Sequence, residues 1–183
     1  MAKHTLIAYG EDVPGVLNRI ASLFRRRNFN IDSLTVGHTE TPGVSRMTIV
    51  SDVDPLNARR VEANIYKLVD VLRVDDITHA PAVDRELAMI KVAATPEVRS
   101  QIIQLADVFR ARVIDVSPES VIVEITGSGD KIGRLIEVLT PYGVLEVART
   151  GRVAMARGPR SAERLEDRFA GEEPEEAGVS YSV

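Results

Sequence analysis

The chain has 183 residues, 44% of them hydrophobic, and contains neither Cys nor Trp. This is enough for one ordinary core or two small ones, and it excludes a disulfide framework, a thiolate metal site and a cysteine nucleophile. The net charge of −4 resides in the segment 159–183, which holds seven acids and three bases, so the rest is neutral and lacks the basic excess of a nucleic-acid binder. No apolar run of about 18 residues could span a bilayer, and no N-terminal stretch resembles a signal peptide. The expectation is a cytoplasmic protein with no membrane partner.

In chain order, HTLIAY (4–9) reads as a strand and GVLNRIASLFRRR (15–27) as a helix, with Val16, Leu17, Ile20, Leu23 and Phe24 on one stripe. NIDSLTVGH (30–38) reads as a strand, and GVSRMTIVSD (43–52) pairs back to it across TETPG. Pro55 opens a second helix with Leu56, Val61, Ile65 and Leu68 inward, and DVLRVDDIT (70–78) is a fourth strand. The order is βαββαβ.

The second half follows the same plan. ELAMIKVAA (86–94) is a strand. PEVRSQIIQLADVFRA (96–111) is a helix with Val98, Ile102, Leu105 and Phe109 at helical spacing. RVIDVS and SVIVEIT form a hairpin, DKIGRLIEVL (130–139) a helix, and YGVLEVART (142–150) the closing strand. LFRRRNFNID is echoed by VFRARVID, and DVLRV by GVLEV, in order and on equivalent elements. Duplication is therefore the economical reading. The fold class is α+β: two ferredoxin-like units at 3–79 and 84–158, each an antiparallel sheet with two helices on one face. The acidic tail 159–183 reads as disordered, being too poor in apolar residues to offset its ordering entropy.

The sequence offers no catalytic constellation. His4, His38 and His79 lack metal-ligand spacing, and no GxSxG or GxxxxGK[ST] occurs. GSGDKIG (127–133) has the wrong spacing for a dinucleotide loop and reads as a helix start capped by Ser128 or Asp130. RRRN (25–28) reads as a helix end: cations complement the dipole, and Asn28 takes the left-handed conformation that stops it.

One junction stands out. In EDVPGV (11–16), Pro14 suits the first helical turn, and Gly15 lets a ligand approach the backbone. The amides from Gly15 to Leu17 then face outward, as in helix-terminus carboxylate or phosphate sites. The plain alternative is a helix start with Gly15 packed against a strand. The twin junction, VAATPEVRS, carries Glu97 at the equivalent place, where an acid competes for the same amides, so a carboxylate ligand favours the first unit. Asn30 adds a donor and an acceptor suited to an ammonium and a carboxylate. The apolar alternation slips between Ile31 and Leu34, which predicts a bulge or an irregular strand start.

The stretch EDVPGVLNRIASLFRRRNFNIDSLTVGHTETPGVSRMTIV resembles the small regulatory subunits of acetolactate synthase (acetohydroxyacid synthase). The family pattern PGxLxRxxxLFxxRxxNIxSLTV…SRMTI is met almost throughout, as are KLVDVLRV, RELAMIKV, FRARVIDV and LEVARTGRVAMARG. The resemblance covers about residues 3–158 and implies tandem ACT domains with no catalytic residue, metal or cofactor in this chain. It implies a homodimer through the ACT domains and a separate large catalytic subunit using thiamine diphosphate, Mg²⁺ and FAD. It further implies activation of that subunit and feedback inhibition by valine or another branched-chain amino acid. The effector site it implies uses Asp12, Gly15, Val16 and Leu17, with Asn30 coming from across the interface and Ile31 beside it also counted as an effector-binding residue. Gly37 leaves room for the effector side chain. The family often carries Asn where this chain has Asp12. The second unit and RTGRVAMARG (149–158) are the expected contacts for the large subunit. The alternative is a free-standing amino-acid-sensing ACT protein.

Overall fold

A computed structural model describes residues 3–158. The tail 159–183, read above as disordered, lies outside the described residues. In the first unit, β1 (Lys3–Glu11), α1 (Val16–Arg26), β2 (Ser33–His38), β3 (Val44–Asp52), α2 (Pro55–Ile65) and β4 (Val71–Asp76) follow the expected βαββαβ order. The sheet order is β2-β3-β1-β4, all neighbours antiparallel, which leaves β2 and β4 at the edges. The second unit has β5 (Ala82–Ala93), α3 (Pro96–Val108), β6 (Arg112–Val116), β7 (Ser120–Gly127), α4 (Gly129–Leu139), β8 (Val144–Arg149) and β9 (Val153–Ala156). Its sheet runs β6-β7-β5-β8, with β9 also pairing β5.

Strand alternation gives each sheet one face for its helices. In β1, Leu6 and Ala8 point into a core built with Ile20 and Phe24 of α1, Val61 and Ile65 of α2, and Met47 and Ile49 of β3. The second core joins Ile90 and Val92 of β5 to Ile102 of α3 and Ile132, Leu135 and Leu139 of α4. Helix ends behave as their sequences dictate. Asp54 caps α2 through the amides of Leu56 and Asn57, Ser128 caps α4 through Lys131, and Arg25 and Arg26 occupy the last turn of α1. Asn28 takes φ 57 just past α1, and Arg110 takes φ 54 at the matching position past α3.

Several expectations need correction. Leu17 and Leu56 are 43% and 62% exposed rather than buried, because each sits at the margin of its helix's apolar stripe. Pro14 lies before the helix, with Gly15 as N-cap, so it precedes the first turn instead of opening it. The second strand starts at Ser33, not Asn30. The slip between Ile31 and Leu34 is thus an irregular lead-in, and the β2–β3 register itself is continuous.

The largest departure from the expected elements is β9. It pairs with the first four residues of β5, Ala82 to Arg85, which also lie outside the strand expected from the sequence. Its Ala154 is buried against Ile7 and Ile77, on the face of the first sheet that the helices leave open. RTGRVAMARG is therefore partly spent on holding the two units together, and its exposed large apolar side chains are Val153 and Met155.

The corrections can be tested by truncation. Phe24→Ala, at 1% exposure, is expected to cost about 3–5 kcal/mol. Leu56→Ala is expected to change stability by no more than about 0.5 kcal/mol, although both positions fit the apolar periodicity of a core. Urea unfolding of the two variants measures the difference.

Candidate functional site

The loop between β1 and α1 is built by its backbone. Gly15 has φ +97, and a Cβ placed there would meet nothing within 4 Å. The glycine is thus not packed against a strand. It is required by a conformation that an L side chain rarely adopts, and it leaves the space in front of the helix open. No side chain caps α1, its first turn holds no acid, and its leading amides have no partner among the described residues. Uncapped amides at the positive end of a helix dipole attract an anion.

The second unit handles the same position differently. Here proline does open the helix, Thr95 is an N-cap that makes no side-chain bond, and Glu97 lies in the first turn rather than at the N-cap place that Gly15 holds in α1. Glu97 instead accepts hydrogen bonds from the Thr95 hydroxyl and from its own amide, which hold its carboxyl below the usual range. α3 thus carries in its first turn a carboxylate of the kind that α1 lacks.

The expected site residues divide into distinct groups. Asp12 accepts from the Ser45 hydroxyl at 2.9 Å and faces His38 Nδ1 at 3.2 Å, while its amide donates to Gly43 O at 2.8 Å. It therefore pins the loop to the β2–β3 hairpin, and its side chain remains 44% exposed. The Val16 side chain is buried in the core, so only its amide is available, whereas Leu17 turns outward. Gly37 lies in β2, at the end of the unit that also carries the loop, and a Cβ added to it would meet nothing within 4 Å. Val36, beside it in β2, is 45% exposed, as is Val13 in the loop, so exposed apolar side chains lie on the loop and on the strand at this end of the unit.

Asn30 and Ile31 lie elsewhere. They follow the C-terminal end of α1, so an eleven-residue helix, about 16 Å long, separates them from Gly15. Ile31 packs against the first core. The exposed Asn30 side-chain amide donates to Asp32 Oδ1 at 2.9 Å, and the backbone carbonyl of Asn30 accepts from the Ser51 hydroxyl. One chain does not bring Asn30 to the loop. His38 and Ser45, the partners of Asp12, carry no local sequence pattern that marks them: the hairpin register alone brings them together.

Two other clusters of polar groups have structural explanations. Asp76 sits between the Thr78 hydroxyl and amide and the buried His4 ring, at 3.3 Å from Nδ1. Burial raises its carboxyl, but the hydrogen bonds from Thr78 and His4 outweigh it and hold the group below its ordinary 3.8. A cleft of about 390 Å³ between the units is lined by charges that pair with each other, Lys3 with Asp32 at 3.3 Å and Arg149 with Glu86. Among the described residues no three His, Cys, Asp or Glu side chains form a metal cluster, and no helix is long and apolar enough to cross a membrane.

Two ferredoxin-like units in tandem, the first with an open helix start beside an exposed sheet edge, define an ACT-type protein. Residues 6–73 match the AHAS small subunit-like ACT domain, and residues 85–158 match the small subunit of acetolactate synthase. A probable acetolactate synthase small subunit of Archaeoglobus fulgidus is 49% identical over 156 residues, covering 85% of this chain and 98% of its own. The Bacillus subtilis acetolactate synthase small subunit is 52% identical over 145 residues, 79% of this chain and 84% of its own. The crystal structure of the Thermotoga maritima small subunit superposes with a TM-score of 0.79 at 42% identity, covering 86% of this chain and 99% of that one. The chain belongs to the acetolactate synthase small-subunit family, and that membership implies a catalytic large-subunit partner.

Two outcomes follow from the local geometry. Gly15→Ala is expected to lower stability by about 1–2 kcal/mol through its positive φ, although it meets no neighbour. An unchanged melting temperature would mean that the loop relaxes to negative φ. For Asp76, a folded value below the unfolded one gives stability that is present above the unfolded value and lost as pH falls through the folded one. The gap in melting temperature between wild type and Asp76→Asn is thus expected at neutral pH and should shrink below about pH 4. Thermal melts across that range measure it.

Proposed function

We propose that the chain is the regulatory subunit of an acetolactate synthase holoenzyme. It has no catalytic role of its own. It raises the activity of a large subunit that condenses two pyruvates, or pyruvate with 2-oxobutanoate, with thiamine diphosphate, Mg²⁺ and FAD held by that partner. It makes the assembly sensitive to valine or another branched-chain amino acid, the end products of the pathway. The observation that carries the effector reading is the uncapped start of α1 behind Gly15, with free amides, no first-turn acid and apolar Val13, Leu17 and Val36 nearby.

On this reading the effector carboxylate bonds the amides of Val16 and Leu17, and its aliphatic side chain covers the exposed apolar groups. Burying such a side chain contributes about 1.5–3 kcal/mol. The ammonium needs polar partners. Asp12 supplies one, and Asn30 the other only if it comes from a second copy. An antiparallel pairing of β2 with β2 of that copy reverses the strand direction and carries Asn30 to the Gly37 end, where the loop lies. Occupancy then favours one dimer arrangement, and a ligand indifferent to the arrangement would regulate nothing.

Asn30→Ala tests the shared site. A hydrogen bond to a charged group contributes about 1.5–3 kcal/mol, so valine affinity of the isolated protein is expected to fall roughly tenfold or more. Activation of the large subunit should persist. Calorimetry with valine, leucine and isoleucine, followed by inhibition assays of the reconstituted holoenzyme, reads both. Full inhibition of the variant, or no uptake of any of the three by wild type, would sink the assignment.

A further inference from the structure

We propose that Thr150 and Gly151, with Ser33 and Thr35, form a seam that couples effector occupancy to the second unit. This rests on the regulatory reading above and assigns it a route. The segment after β8 runs between two strands and bonds to both. On one side, Thr35 Oγ1 donates to Thr150 O at 3.2 Å, and the Arg152 amide donates to Ser33 Oγ at 2.8 Å. On the other, the Leu87 amide donates to Thr150 Oγ1 at 3.1 Å, and the Thr150 amide donates to Leu87 O at 3.1 Å. A single residue therefore bridges β2, the edge strand of the first sheet, and β5, an inner strand of the second.

The approach is close. Gly151 has φ +82, and a Cβ there would fall 2.6 Å from Ser33 Oγ and 3.2 Å from Thr35 Oγ1. Only glycine lets the segment lie this near β2 in this conformation. β2 is also the strand that follows Asn30 and contains Gly37. A ligand that orders β2 in one dimer arrangement acts directly on the acceptor and donor that Thr150 and Arg152 use. Discrete hydrogen bonds of this kind have made and broken states, which is what a switch requires.

The seam is separable from the glue between the units. Apolar adhesion comes from Ala154 against Ile7 and Ile77, and from the pairing of β9 with β5. Arg46 adds a bond to Ala154 O, and Arg152 another to Thr5. The Thr35–Thr150 and Leu87–Thr150 bonds are solvent-exposed. Removing them leaves the adhesion intact, so the loss should appear in coupling and not in folding.

The test uses the full chain reconstituted with its large subunit. One variant, Ser33→Ala with Thr35→Val, cuts the first-unit side. A second, Thr150→Val, removes the hydroxyl that the Leu87 amide bonds and so weakens the second-unit side, the backbone bond from the Thr150 amide to Leu87 O remaining. Each is expected to bind valine with a Kd within about twofold of wild type and to activate normally, while the valine concentration for half inhibition rises about tenfold, inside the usual range of allosteric coupling. Wild-type inhibition in both variants overturns the seam. So does a loss of valine affinity in proportion to the loss of inhibition, which would make these residues part of the binding site. A wild-type protein that takes up no branched-chain amino acid overturns the regulatory reading itself, and the seam with it; that outcome is distinct from binding without coupling.

Discussion

A sheet with helices on one face has a second face, and apolar side chains on it are stabilised by being covered. In the first unit that face carries Ile7 and Tyr9 between the inward Leu6 and Ala8, so half of the β1 side chains point away from the main core. The chain solves this by returning: after β8 it crosses over, and β9 lays Ala154 on Ile7 and Ile77. Tyr9 is held there between the guanidinium groups of Arg46 and Arg73, with Arg46 reaching on to Ala154 O. The two units share this one cover, so the first sheet is completed by residues far along the chain, in the second unit. Apolar burial supplies the adhesion, and the polar contacts fix its register.

This requirement separates the two units more than their common plan implies. Each starts from the same βαββαβ order, and each ends its first helix with a residue in the left-handed region. They differ at the helix start. Glu97 engages the α3 terminus, while Gly15 leaves that of α1 open. Their caps differ, left-handed Gly15 against extended Thr95, and only α3 carries an acid, Glu97, in its first turn, which an anion-attracting end would lack. Meanwhile only the second unit supplies an extra strand. One unit has thus kept an open polar terminus, and the other has taken over the mechanical linkage.

Much of this was legible in the sequence because it rests on local chemistry. The helices announce themselves by apolar spacing and by caps such as Asp54 and Ser128, and the duplication shows in LFRRRNFNID and VFRARVID. What was not legible is non-local or marginal. VAMA is too short and too weakly alternating to read as a strand, and its partner, Ala82 to Arg85, gains meaning only when the chain comes back to it. Leu17 and Leu56 fit the periodicity but lie at the edge of a stripe, and spacing defines a stripe's centre better than its margins. The candidate site was legible as a loop and an asparagine. That an entire helix separates them, and that Asp12 is tied to Ser45 and His38, depends on strand register.

The commitment of Asp12 bears on which ligand the open helix start would accept. A bare amide terminus attracts any small anion, and by itself it would not discriminate an amino acid from acetate or phosphate. A carboxylate at Asp12, held near the loop by Ser45 and His38, disfavours a second unaccompanied negative charge close by. It favours a ligand that brings its own positive charge. A zwitterion satisfies both groups at once, with its carboxylate on the amides and its ammonium toward Asp12. The exposed Val13, Leu17 and Val36 then add a preference for an aliphatic side chain over a polar one. Under the regulatory reading proposed above, specificity for an apolar amino acid would then need no dedicated pocket inside one chain: a helix terminus, one anchored acid and an apolar rim would supply it, completed by a second copy.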